Sequence, residues 1–191
     1  MTDMDGRYFS VRQIAFLSVM GAFSCILDSF HIPLHTPGNH SIFWVIPIIF
    51  GVGMVKKLGS ATCVGFIGGI LIAFTGLEPI GPFVVLEYLA MGFMIDILAA
   101  VFRGHIGNIV VGFVIGAAGS LSKLAVHYPV VLLLGMTRGR LILVGFGVAM
   151  ISYFVFGGLG GAITSIILRG FEHLPPILTN LSGKPVKQMK K

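Results

Sequence analysis

Five ionisable side chains stand inside otherwise apolar stretches of this chain: Asp28, Glu87, Asp96, Lys123 and His127. Charge is costly to hold away from water, so each marks a position where structure or function offsets that cost. Glu87 and Lys123 supply a carboxylate and an ammonium. They read either as an ion pair holding two helices together or as the two poles of a site for a polar ligand, with Glu87 neutralising a cationic ring and Lys123 or His127 meeting an anionic or carbonyl group. Lys123 and His127 are four residues apart. On a helix they share a face with Ser120 and Gly116, and that stripe is expected to line a cavity. Asp96 follows Glu87 by nine residues, which places it on the opposite face and about 13 Å further along the axis. The two acids are therefore no acid–base pair, and Asp96 is expected to pair with Arg103 or to cap a neighbouring helix.

A second group, His31, His35 and His40, puts three imidazoles within ten residues. Such a set could form an open site for zinc, nickel or cobalt. It spans Pro33 and Pro37, however, and no cysteine joins it, so these histidines suit contact with solvent or a ligand better than a metal cage. No resident metal or cofactor is expected. Gly157-Gly158-Leu159-Gly160-Gly161 is not followed by Gly-Lys-Ser/Thr, so it is no phosphate loop and reads as a helix contact. Ser120 has His127 only on its own helix, a poor basis for a nucleophile and its base. Catalysis is not expected.

The elements that position these groups must be membrane helices. Of 191 residues, 55% are hydrophobic and 10% charged, with 27 glycines, whereas soluble domains carry about 25% charged residues. Small residues in such number suit closely packed transmembrane helices. Disordered, collagenous and nucleic-acid-binding classes are excluded, and so is a disulfide framework, since Cys25 and Cys63 both lie in apolar runs. Apolar segments bounded by Pro, Gly and charge predict spans at about 11–30, 41–55, 58–75, 82–102, 106–127 and 140–168. Pro47 is expected to kink the short second span, and the segment 130–136 is too short to cross. The first run has no Ala-x-Ala cleavage pattern after it and reads as a retained helix.

The fold class expected is thus all-α, an integral membrane six-helix bundle forming one domain over 1–175, with a basic cytoplasmic tail at 176–191. Six spans put both termini on one side. That side collects ten basic residues, among them Lys56, Lys57, Arg103 and Arg169, while the other collects Arg138 and Arg140. Positive charge accumulates on the cytoplasmic face, so both termini are placed in the cytoplasm of a multi-pass cell-membrane protein. Glu87 then lies about 7 Å, and Lys123 about 6 Å, from the outer ends of their helices. Asp28 is close to the same level, and His35, Asn39, His40 and Glu78 belong to the outer loops. Trp44 and Tyr88 could stack on a flat ligand or anchor the chain at the interface.

This layout resembles the substrate-binding S components of energy-coupling factor (ECF) vitamin transporters over about 11–168. The features that carry the resemblance are the helix-1 loop ending in Pro37-Gly38, the short kinked helix with Ile46-Pro47-Ile48, and the basic turn Lys56-Lys57. Leu86-Glu87-Tyr88 resembles the acidic–aromatic pair with which thiamine-type S components meet their cationic ligand. Pro37-Gly38-Asn39-His40 is similar to a Pro-Gly-x-His stretch in S components for thiamine precursors. The resemblance implies capture of a small water-soluble vitamin or precursor from outside, a thiamine-like heterocycle being favoured. It also implies delivery by docking on a transmembrane T subunit driven by two ATP-binding subunits. The family docks through an Ala-x-x-x-Ala surface on helix 1. Here Ser18-x-x-x-Ala22, with Ala15 beside it, stands in that place. Two alternatives use the His31/His35/His40 loop: a nickel or cobalt uptake component, and a membrane-embedded metal-dependent enzyme.

Overall fold

The computed structural model describes residues 9–29, 38–76, 78, 80–102, 105–135 and 145–172, and these contain six α-helices and no strand. The helices are α1 Val11–Asp28, α2 Ser41–Val55, α3 Ser60–Thr75, α4 Val84–Val101, α5 Ile109–Leu133 and α6 Phe146–Glu172, with a 3-10 turn Gly81–Phe83 leading into α4. His31, His35, Arg138, Arg140 and the tail lie outside the described residues.

Local chemistry sets the helix starts. Ser10 and Gln13 form a reciprocal capping box on α1, the Gln13 amide donating to Ser10 Oγ at 3.3 Å and the Ser10 amide to Gln13 Oε1 at 3.0 Å. Asn108 caps α5 by accepting from the Val110 amide at 2.9 Å. Asp96, on α4, caps α3 from across the bundle. Its Oδ1 accepts from the Ala61 amide at 3.1 Å, and its Oδ2 accepts from the Thr62 amide at 2.8 Å and the Thr62 hydroxyl at 2.6 Å. A carboxylate at a helix N-terminus also meets the positive end of the helix dipole. Of the two roles expected for Asp96, the structure shows the cap.

Each helix packs on the next in the order α1, α3, α4, α5, α6, α2 and back to α1, and α2, buried over most of its length, also touches α3, α4 and α5. Glycines set the closest approaches. A Cβ on Gly116 would lie 2.2 Å from the Gly157 carbonyl oxygen, and one on Gly161 would lie 2.0 Å from that of Gly112. The α5–α6 seam is thus backbone against backbone, as small-xxx-small crossings require. On the other side of α4, a Cβ on Gly65 would meet the Tyr88 carbonyl oxygen at 2.4 Å.

Among the described residues four helical segments are long and apolar enough to cross a membrane: Val11–Asp28, Gly81–Val101, Ile109–Leu133 and Phe146–Phe171. Ser41–Val55 and Ser60–Thr75 are shorter, about 22–24 Å at 1.5 Å per residue. The outer surface of the bundle carries large apolar side chains such as Val19, Phe74, Phe93, Val110 and Ile151, as expected of helices facing lipid. α5 is longer than its sequence suggested, because Pro129 lies inside it and the helix continues to Leu133.

Candidate functional site

Glu87 sits in the first turn of α4 with its side chain fully buried, 0% exposed. Lys123 on α5 is 3% exposed and reaches across, its Nζ 3.8 Å from Glu87 Oε2. That is ion-pair range but longer than a hydrogen bond. One turn along α5, His127 Nδ1 lies 2.5 Å from Glu87 Oε1, within hydrogen-bonding distance. The level depth read from the sequence for Glu87 and Lys123 thus corresponds to a direct contact.

Two aromatic rings close over the pair. Trp44 on α2 and Tyr88 on α4 are both buried, with ring centroids 5.9 Å apart and planes inclined at 57°. Lys123 Nζ lies 4.5 Å from the Trp44 ring centroid and 4.3 Å from that of Tyr88, within cation–π range of both. Pro47, three residues after Trp44, withdraws the N–H that the Phe43 carbonyl would accept in a regular helix. The Ser24 hydroxyl donates to the Trp44 carbonyl at 3.5 Å, tying this turn of α2 to α1.

Around this centre stand further carboxylates. Asp28, buried at the end of α1, interacts electrostatically with Lys123, Glu78 and His40 and lies beside Tyr88. Tyr153 on α6 is buried and lies in the field of Glu87, Glu78 and Asp28. It is a candidate site residue that the sequence did not announce. Its ring also packs on Gly38, where φ is +81° and a Cβ would come within 2.4 Å of the ring, so only glycine fits that turn. Asn39 is buried next to it.

This geometry is carried by a recognisable scaffold. The structure is similar to a crystal structure of an S component of an ECF transporter, with a TM-score of 0.60 over 92% of this chain and 90% of that one, at 18% identity. The fold is that of an S component. No protein-family model matches the chain, and no curated protein matches it in sequence.

On this S-component fold, Glu87, Lys123, His127, Trp44, Tyr88, Asp28, Glu78 and His40 gather at one end, where α1, α3 and α5 finish and α2, α4 and α6 begin. Ser120 and Gly116, expected to line a cavity with Lys123 and His127, instead face α6. A Cβ on Gly157 would lie 1.9 Å from Ser120 Oγ, so that stripe divides between a helix seam and the site. Ala15, Ser18 and Ala22 lie on the outward side of α1 and are exposed or half-buried. Among the described residues no group of three His, Cys, Asp or Glu is placed to hold a metal ion. The proposed histidine triad has only His40 within them.

Proposed function

We propose that this protein is the membrane-embedded substrate-binding component of an ECF-type transporter, taking up a small water-soluble vitamin or precursor of thiamine-like, cationic heterocyclic character. The observation that carries the reading is the Glu87-centred cluster of charged and aromatic side chains buried at one end of an S-component fold. Among the described residues three carboxylates, Asp28, Glu78 and Glu87, meet there around one ammonium, Lys123, and that balance suits a positively charged ligand. Buried aromatic rings suit a flat one. Asn39, His35 and His40 are proposed to contact the ligand from the loop above.

On this reading both termini are cytoplasmic and the site faces outward. The side of α1 with Ala15, Ser18 and Ala22 docks on a transmembrane T subunit, and two ATP-binding subunits supply the energy.

The test is direct, because Trp44 is the single tryptophan of the chain. Titrating the detergent-solubilised protein with thiamine should change Trp44 fluorescence saturably, and native mass spectrometry of the gently extracted protein should show a co-purified heterocycle of that class. A protein that carries nickel or cobalt and no organic ligand, and that loses the metal on H35A and H40A, would overturn the vitamin reading in favour of metal uptake.

A further inference from the structure

Glu87, Trp44 and Tyr88 are the partners by which proteins recognise organic cations: a carboxylate and two aromatic rings. A cation already sits among them, and it belongs to the protein. Lys123 Nζ is 4.5 Å from one ring centroid, 4.3 Å from the other and 3.8 Å from the carboxylate. The four residues are buried to between 0% and 3% exposure. A ligand that uses these three partners must therefore move the lysine.

Two observations show how it can move. The Lys123–Glu87 contact is too long for a hydrogen bond, and Glu87 Oε2 has no hydrogen-bond partner among the described residues, while His127 engages Oε1 at 2.5 Å. Among the described residues the lysine is thus held by charge and ring faces, and Glu87 keeps a partner when it leaves. A second carboxylate is also within its field, since Asp28 interacts electrostatically with Lys123. Lysine carries its charge on a flexible four-carbon stem, which lets the ammonium turn from Glu87 toward Asp28.

We propose that Lys123 is a resident cation that occupies the subsite of a cationic substrate and is displaced by it, so that Lys123 sets affinity by competition rather than by binding an anionic group of the substrate. This rests on the substrate-binding reading above and deepens it. The substrate delivers its positive charge to Glu87, Trp44 and Tyr88.

The experiment compares wild type, K123M and K123R by Trp44 fluorescence, with thiamine as one probe and tetramethylammonium as another. K123M should bind thiamine at least tenfold more tightly than wild type. K123R, which keeps a cation against the rings, should bind no more tightly than wild type. Equal or weaker thiamine binding by folded K123M overturns the proposal while leaving thiamine capture by the wild type intact. Tetramethylammonium makes the two failures distinguishable. If neither protein binds thiamine, saturable quenching of K123M by tetramethylammonium, absent in wild type, still supports a resident cation, and no quenching of K123M overturns it. Should K123M fail to fold, K123Q replaces it with the same expected outcomes.

Discussion

Helix α4 carries two buried acids nine residues apart, and their surroundings could hardly differ more. Asp96 is satisfied entirely by its own protein: two backbone amides and a hydroxyl of the α3 N-terminus use both its oxygens. Among the described residues Glu87 has one hydrogen-bonding contact, to His127, and a long ion pair, with an oxygen left over. A buried polar group with every bond made within the fold contributes to stability. One with capacity remaining, among charged and aromatic groups on several helices, is the one proposed above to meet a ligand. The contrast separates a carboxylate that builds the bundle from one that, on the proposed reading, serves the ligand.

Mutation can break or sharpen this contrast. D96A leaves two amides and a hydroxyl without their acceptor, and it should destabilise the protein by about 3–5 kcal/mol, read as a lowered melting temperature in detergent. The folded fraction should bind thiamine as wild type does, and a selective loss of affinity would erase the distinction. E87Q acts chiefly on binding: thiamine affinity should fall at least tenfold, about 1.4 kcal/mol, and because Lys123 keeps the field of Asp28 the melting temperature should fall less than in D96A. Unchanged affinity would remove Glu87 from the site. T62V deletes only the 2.6 Å bond from the Thr62 hydroxyl to Asp96. It should cost about 1–2 kcal/mol of stability and nothing in binding. S120A removes a buried hydroxyl with no hydrogen bond among the described residues. It should shift stability by less than about 0.5 kcal/mol and leave binding unaltered, which tests the assignment of Ser120 to the helix seam.

Much of this architecture was legible because charges in apolar runs are rare and helical geometry is regular. Counting depth from the ends of two helices put Glu87 and Lys123 level, and the wheel put Asp96 on the far side, where it caps α3. The end of α5 was not legible. Pro129 reads as a terminator in water, but inside a membrane bundle neighbouring groups can satisfy the freed carbonyl and the helix continues. Tyr153 was missed because it sits in an apolar run with no charged residue near it in sequence, and only tertiary packing brings it beside the acids on α1 and α4. The stripe through Gly116, Ser120, Lys123 and His127 misled for a related reason. A shared helical face fixes direction, but the position of α6 decides how much of that face is sealed.

The α5–α6 seam has a mechanical consequence. Helices that meet through side chains can slide past one another as rotamers readjust, in small shear steps. Where carbonyl oxygens of one helix stand against glycines of the other, with no room even for a methyl group, those contacts cannot readjust and they oppose sliding. α5 and α6 therefore move as one beam, carrying Lys123, His127 and Tyr153 together. The turn at Gly38 rests on that beam through the Tyr153 ring.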